Sequence, residues 1–578
     1  MGETVGRHGQ PRAVPGVPDV SGAPVTAADT ATVTSGGTAP PRAPSVLRSG
    51  VIMAAGSVVS RATGFVRSAV VAAAIGVGTV ADGYAVGNSL PTIVYMLLIG
   101  GALNAVFVPE LVRAAKEQED GGAAYTDRLL TVCLLALLAL TAAAVWAAPA
   151  IVDAYTDYPP DQTAMTVALA RYCLPQILFL GLFTLLGQVL NARGHFGAMM
   201  WTPVLNNLVV VAVFGLYLAA VATGDGGTLS AAETALLGWG TTAGIVVQAL
   251  ALLPALRAAR FRYRPRFDWR GSGLTRPLRN AGWLVLLVLT NQVAYWVTTR
   301  LATAAGLRAE AAGIDGGAGF SAYNNAYLLW AVPHGIITVS LMTALLPRMS
   351  GAAADMDTAA VRRDVSYALR SSAAAVVPAA CGLFALAGPV MALVFGYGET
   401  DGAAVAVMAG TLMAFAPGLI AFSGQYVLSR TFYALSDTRT PFLLNLVIAS
   451  LSSGLSVVAY LVLPARWAVT GIAAGYSLAL WAGWAVTALV LRRRLAGRSG
   501  RVPSHALAAQ ARLLVAAVPA TALGYGAARW AEAGGPVASA GAGAAAIAAV
   551  FVLLARPLRL TEIDVLVTDA LARLRRRR

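Results

Sequence analysis

Long apolar runs alternate with short polar connections along almost the whole chain. From residue 46 onward there are fourteen such runs, each at least as long as the roughly 20 residues that a helix needs to cross a bilayer. The predicted spans are 50–76, 81–112, 126–153, 162–192, 201–223, 231–258, 278–305, 317–349, 364–397, 402–431, 440–463, 467–491, 509–530 and 536–555. The pattern predicts an all-α, polytopic membrane protein with about fourteen transmembrane helices.

Composition and charge support this class. Of 578 residues, 57% are hydrophobic and 12% are charged, and the mean hydropathy is +0.68. The net charge of +15 comes from arginines in the connections, where they set membrane orientation, so nucleic acid is excluded as a partner. Basic connections such as 257–279 alternate with connections such as 153–162 that carry no Lys or Arg. This alternation predicts that both termini are cytoplasmic. The preference for arginine over lysine, together with the abundance of alanine, is typical of a bacterial coding bias, which predicts the bacterial inner (plasma) membrane.

An internal repeat divides the apolar region. The segment Ala105–Pro109 resembles Thr343–Pro347, and Thr202–Asn207 resembles Thr440–Asn445, both at an offset of 238 residues. Six helices per repeat keep the same membrane orientation, which is typical of transporters whose binding site lies between two parallel repeats. The repeat therefore predicts two six-helix lobes around one central cavity, plus two helices outside the repeat.

The predicted domains follow from this repeat. Residues 1–45 are rich in Pro, Gly, Ala and Thr and predict a disordered cytoplasmic tail. The N-lobe covers 46–260, the C-lobe 261–495, and the last two spans 496–556. Residues 557–578 predict a basic amphipathic cytoplasmic tail, for which a helix on the anionic inner leaflet and a solvated tail are both open.

The first span carries two arginines near its middle. An arginine at the centre of a membrane helix costs about 3 kcal/mol, so these residues need a compensating role. Arg61, Gly64 and Arg67 lie at i, i+3 and i+6 and share one helix face. Guanidinium groups bind phosphate oxygens with paired donors, which predicts a wet cavity for a phosphate-bearing cargo. The alternatives are snorkelling to the headgroups and an ion pair with a carboxylate such as Asp82.

Other polar residues inside spans are weaker candidates. Arg171 and Arg300 lie toward the outer halves of their spans, where snorkelling and cargo contact are both open. Asn206, Asn207 and the repeat-related Asn445 either bond across helices or line the cavity.

No metal, cofactor or enzyme is predicted. The three cysteines, Cys133, Cys173 and Cys381, lie in separate apolar spans, and the four histidines show no ligand spacing. The sequence also contains no recognisable nucleophile–base pair or phosphate-binding loop.

Several of these residues together resemble a known family. The motif Ser60–Arg67, followed by Asp82, Leu90-Pro91 and Phe107–Pro109, resembles the MurJ/MviN lipid II flippases, of actinobacterial type, in the multidrug/oligosaccharidyl-lipid/polysaccharide exporter superfamily. The resemblance covers about residues 48–555. Members of this family move the undecaprenyl-diphosphate-linked peptidoglycan precursor from the inner to the outer leaflet.

The resemblance also implies roles for particular residues. Arg61 and Arg67 would contact the diphosphate and sugar region of the cargo, and Asp82, counted with them as a substrate-binding residue, would help to organise the cavity. The chain departs from the family at two positions. Where many proteobacterial members carry arginines in the second and eighth helices, this chain has Tyr95-Met96 and Tyr327-Leu328.

Two other functions compete with flipping of this precursor. An exporter could carry another polyprenyl-linked glycan or drugs, although a drug exporter is expected to show acidic residues in its cavity. A membrane scaffold could instead recruit cell-wall synthesis proteins as partners. The intramembrane arginines favour transport, because a scaffold has no use for their cost. The predicted partners are therefore a lipid-linked glycan substrate, membrane lipids and cell-wall synthesis proteins.

Overall fold

The structure is a computed structural model that describes residues 46–96, 120, 122–195, 197–221, 229–268, 282–314, 316–495 and 505–564. Several predictions concern residues outside these ranges. They include the N-terminal tail 1–45, the repeat segment Ala105–Pro109, the arginines of 269–281 and the C-terminal arginines of 565–578.

Ten helices are described in 46–311. They are α1 Val46–Ile75, α2 Thr79–Tyr95, α3 Ala123–Trp146, α4 Ala148–Tyr155, α5 Pro160–Cys173, α6 Gln176–Ala192, α7 Gly197–Val221, α8 Ala231–Leu250, α9 Leu253–Ala258 and α10 Gly282–Ala311. The first nine belong to the first half of the repeat, and α10 begins the second.

Ten further helices are described in 320–555. They are α11 Phe320–Pro333, α12 Val339–Ala354, α13 Thr358–Ala385, α14 Ala387–Phe395, α15 Gly402–Phe415, α16 Gly418–Ala434, α17 Arg439–Val462, α18 Ala465–Leu495, α19 His505–Trp530 and α20 Gly535–Ala555. A π-helical turn, His334–Thr338, joins α11 to α12.

The helices confirm the predicted fold class. Within the described ranges, 12 stretches are long and apolar enough to cross a bilayer, and the bent pair α15–α16 raises the number to 13. These stretches coincide with thirteen of the predicted spans. The remaining predicted span, 81–112, is described only as far as residue 96, where α2 occupies it.

Two spans that the sequence predicts as continuous are broken at a proline. The fourth span breaks at Leu174-Pro175 and the tenth at Ala416-Pro417. In the tenth span the two helices meet at an angle of 45°. Proline has no N–H, so the preceding turn loses hydrogen bonds that a bilayer cannot replace. Neighbouring helices supply donors, because Thr242 Oγ1 donates to Tyr172 O (2.7 Å) and Ser477 Oγ donates to Ala414 O (2.8 Å).

The helices of each half pack mainly on one another. In the first half, α5 packs on α2 and α8, and α6 packs on α3 and α8; in the second half, α18 packs on α10, α15, α16 and α17. The last two helices pack on each other and on α13. The halves meet where α2 touches α10 and α11, which places the predicted site residue Asp82 of α2 at the junction. The exact lobe boundaries stay a prediction.

Candidate functional site

A cavity of about 540 Å³ lies at the junction of the two halves. The predicted face of α1, with Arg61, Gly64 and Arg67, lines one wall of this first cavity. The other walls come from α2, α7, α10 and α11, and they contribute the polar residues Asn88, Ser89, Asn207, Tyr295, Ser321, Asn324, Asn325 and Tyr327. The helical spacing on α1 thus brings two arginines to one polar cavity.

Arg61 reaches across to the second half of the chain. Its guanidinium lies against Gly335, where an added Cβ would come within 2.5 Å of Arg61 Nη1. Gly335 belongs to the π-helical turn that follows Pro333, and turns of this kind are frequent at functional sites. Beside it, the His334 ring is held by Ser423 Oγ at 3.1 Å and packs on Phe422. A glycine on a rigid turn therefore makes room for Arg61.

Arg67 lies on the opposite, first-half side of the cavity. Its charge interacts with the buried Tyr84, whose hydroxyl is 3.0 Å from Thr241 Oγ1 and whose ring packs edge-on against Phe214. Among the residues that the structure describes, neither Arg61 nor Arg67 forms an ion pair with a carboxylate. Neither guanidinium group is thus neutralised by a carboxylate in this part of the chain.

Asp82 lies away from both arginines and does not line the cavity. It is 2% exposed and accepts hydrogen bonds from Ser321 N (2.6 Å) and Phe320 N (3.1 Å). These are the first amides of α11, so Asp82 caps a helix of the other half and complements its dipole. The approach is so close that a Cβ at Gly319 would overlap Asp82 Oδ2. The predicted substrate contact of Asp82 is untested and stays a prediction.

Further contacts join the halves beside the α1–α2 connection. Arg300 Nη2 donates to Asp157 Oδ1 at 2.6 Å, and its Nη1 donates to the carbonyls at the end of α4. Thr400 Oγ1 donates to Ala72 O, and Glu399 N donates to Ala73 O, both at 2.9 Å. We call this set, together with the Asp82 cap, the closed end of the cavity. Arg300 therefore bridges the halves and does not line the cavity.

The remaining candidates have different positions. Arg171 is exposed and lines neither this cavity nor the second one described below. Asn207 lines the first cavity and also donates to Ser60 O (3.1 Å) and Thr63 Oγ1 (3.0 Å), which fixes α7 to α1 beside Arg61. The asparagine thus both joins helices and lines the cavity.

A second cavity, of about 710 Å³, adjoins the first. The two share the lining residues Asn88, Ser89, Tyr295, Asn324 and Tyr327. The repeat-related Asn445 lines the second cavity and donates to Asn291 Oδ1 at 3.0 Å.

The second cavity contains an arginine that the sequence analysis did not select. Arg430 on α16 lies with its Cζ 4.8 Å from the ring centroid of Tyr426 and 5.6 Å from that of Tyr433. Its place at the end of the predicted span 402–431 resembled an ordinary helix end. The tyrosines at i−4 and i+3, which share its helix face, were the signal that could have identified it.

The residues that line the two cavities also bear on whether a cation or a metal ion could bind there. Neither cavity is lined by an Asp or Glu residue from the described part of the chain. Within the same part, no group of three or more His, Cys, Asp or Glu side chains has the arrangement of a metal site.

A polar cavity that is lined by intramembrane arginines and lies between two halves of the chain defines a membrane transporter. The sequence model of the family described as "Lipid II flippase MurJ" matches residues 71–541. The chain belongs to this family.

Individual proteins agree with that assignment. "Lipid II flippase MurJ" of Burkholderia cenocepacia is 28% identical over 368 residues, which cover 62% of this chain and 68% of that protein. A solved structure described as "Lipid II flippase MurJ, inward closed conformation" has a TM-score of 0.69 at 15% identity and covers 88% of this chain and 99% of that one. An inward-facing multidrug resistance transporter of the MATE family has a TM-score of 0.60 at 13% identity, covering 77% of this chain and 98% of that one. The fold is thus shared with both of these solved structures.

Proposed function

We propose that this protein moves lipid II, the undecaprenyl-diphosphate-linked peptidoglycan precursor, from the inner to the outer leaflet by alternating access. The observation that carries the proposal is the pair Arg61 and Arg67, which line the first cavity without a carboxylate partner among the described residues. A diphosphate bound there supplies the negative charge that offsets the cost of two intramembrane arginines.

The lining of the cavities supports an anionic lipid-linked cargo over a cationic drug. Arginines at Arg61, Arg67 and Arg430, with no acidic residue among the described lining, repel a cation and attract a diphosphate. The actinobacterial subtype of the family is part of this proposal, as is contact with cell-wall synthesis proteins, which receive the flipped precursor.

The closed end supports alternating access. The loops beside it, such as Gly396–Asp401, carry no Lys or Arg, so the positive-inside rule assigns this end to the outer face. In this conformation the cargo is sealed from the outside by the Asp82 cap and the Arg300 bridge. Release to the outer leaflet then requires these contacts to separate.

Depletion of the protein tests the proposed activity. We expect lipid II to accumulate in the inner leaflet and to become inaccessible to a probe that is added outside the cells. Expression of the wild-type chain should restore accessibility. Unchanged accessibility of lipid II after complete depletion, in cells with no second flippase, would contradict the proposal.

Orientation can be tested with single cysteines. A cysteine at exposed Arg264 is expected to resist a membrane-impermeant thiol reagent added to intact cells, whereas one at exposed Tyr397 should react. Reaction in permeabilised cells provides the control for Arg264→Cys. Labelling of Arg264→Cys from outside would reverse the predicted topology.

Gly335 gives a subtler prediction for Arg61. In Gly335→Ala the new methyl displaces the Arg61 guanidinium, which can move because it ends a flexible side chain. We expect normal membrane abundance but several-fold slower flipping, because misplacement of a binding group weakens its contact with the cargo. Gly351→Ala is the matched control, since no atom lies within 4 Å of a Cβ there. Full activity of Gly335→Ala would show that Arg61 does not need this position.

A further inference from the structure

Arg430 has no evident structural partner for its charge. It lines the second cavity but not the first, between two tyrosine rings. Among the described residues no carboxylate lies within ion-pair distance of it. Stacking on aromatic rings uses the faces of a guanidinium and leaves its hydrogen-bonding edge available. A guanidinium that lines a cavity without a carboxylate partner among the described residues points to an anionic ligand.

A second, independent observation comes from Gln425, five residues before Arg430 on α16. This side chain is 8% exposed and lines the same cavity. Its Nε2 donates to Ser429 Oγ at 3.3 Å, but its Oε1 has no hydrogen-bond partner among the described residues. A buried acceptor without a donor is unfavourable. Once the side chain turns toward the cavity, a bound molecule with an amide N–H or a hydroxyl group would satisfy this acceptor.

The rest of the second cavity is neutral and polar. Asn291, Gln292 and Asn445 line it together with Tyr426 and Tyr433. Amide and phenol groups of this kind bind sugar hydroxyls and peptide groups through hydrogen bonds. The five uncharged residues shared by the two cavities separate this lining from Arg61 and Arg67. A diphosphate bound by those two arginines therefore leaves the second cavity for the group attached to it.

We propose that the second cavity binds the glycan–peptide head group of the cargo, with Arg430 pairing a peptide carboxylate and Gln425 accepting a hydrogen bond from a peptide N–H. This inference rests on the proposed function, because it assigns the remainder of the same cargo. The flat edge of the guanidinium matches a planar carboxylate with two parallel hydrogen bonds. Arg430 is thereby the residue that distinguishes a peptide-bearing cargo from a bare polyprenyl diphosphate.

Binding of two ligands to the purified full-length protein in nanodiscs tests this assignment. The ligands are lipid II and undecaprenyl diphosphate, which lacks the head group. Arg430→Gln is expected to weaken binding of lipid II by at least about tenfold, as for loss of a charge-assisted hydrogen-bond pair. Its affinity for undecaprenyl diphosphate should remain within about twofold of wild type, since the diphosphate contacts are intact.

The matched control is Arg439→Gln. Arg439 also stacks on an aromatic ring, that of Trp283 at 5.6 Å, but lines neither cavity, so both affinities should be unchanged. A second experiment measures binding of lipid II whose peptide carboxylates are esterified. Wild type should bind it about as weakly as Arg430→Gln binds lipid II, and the substitution should cause no further loss.

Each other outcome overturns the inference. Equal weakening for both ligands would make Arg430 a diphosphate contact, and no weakening for either would leave it without a cargo role. Absence of binding of either ligand to the wild-type protein would instead count against the proposed function itself. If Arg430→Gln lowers the melting temperature of the protein, the same binding measurements are made with Arg430→Lys. Lysine keeps the charge but loses the paired donors, so an intermediate loss specific to lipid II is expected.

Discussion

Replacing both Arg61 and Arg67 by alanine is expected to abolish lipid II flipping while leaving the protein at normal abundance in the membrane. Each charge-assisted hydrogen bond to a phosphate contributes about 1.5–3 kcal/mol, so each arginine lost lowers cargo affinity by roughly 10- to 100-fold. Insertion should not suffer, because an intramembrane arginine costs about 3 kcal/mol. Lysine at either position should restore flipping only in part, since it lacks the paired donors. Outer-leaflet lipid II and membrane abundance are the two measurements.

Arg171→Ala is the matched control for this prediction. Arg171 also lies in a membrane span, but it is exposed and lines neither cavity, so flipping should be normal. If Arg61 or Arg67 formed a structural ion pair with Asp82 instead, the variants would differ in membrane abundance. Loss of one partner would then lower abundance, and removal of Asp82 as well would restore it. Normal flipping by the double alanine variant at normal abundance would rule out the cargo role.

Asp82→Ala is expected to shift the protein toward a conformation that is open to the outside. The amides of Phe320 and Ser321 would lose their acceptor, and each buried donor left unpaired costs about 1–3 kcal/mol. The ratio of closed to open molecules should therefore fall by roughly 10- to 100-fold or more. A cysteine at Ser89, in the wall of both cavities, should react faster with an impermeant reagent added outside, and flipping should slow.

Asp157→Ala provides the comparison for the closed end. Its carboxylate also bridges the halves through Arg300, but its side chain is 60% exposed. Exposed ion pairs contribute only about 0–1 kcal/mol, so the reactivity of the Ser89 cysteine should change little. Equal reactivity in Asp82→Ala and wild type would show that the Asp82 cap does not hold this end closed.

The membrane spans could be predicted from the sequence because the bilayer imposes a simple requirement. Every span must satisfy its own backbone inside an apolar segment of about 20 residues, and thirteen predicted spans coincide with helices as a result. The helix breaks at Pro175 and Pro417 were harder to predict from the sequence. Their stability depends on hydroxyl donors from other helices, Thr242 and Ser477, which lie far away in the chain.

The site was predictable only where it lies on one helix. Spacing alone placed Arg61 and Arg67 on a common face, and both line the first cavity. The partners of Asp82 are backbone amides at Phe320 and Ser321, and backbone groups have no signature in a sequence. Arg430 was missed for a related reason. Whether an arginine near a helix end meets headgroups or a cavity depends on the neighbouring helices, not on its position in the span.

The closed end also links transport to water. Two of its contacts, the Asp82 cap and the Thr400 bond with Ala72, are made between buried groups. When the halves separate, these carbonyl, amide and carboxylate groups lose their hydrogen-bond partners. Water must then hydrate each group, because a polar group without a hydrogen-bond partner costs free energy. Opening therefore takes up water from the surroundings. Osmolytes that are excluded from protein surfaces disfavour such hydration, so we expect them to shift the protein toward the closed conformation.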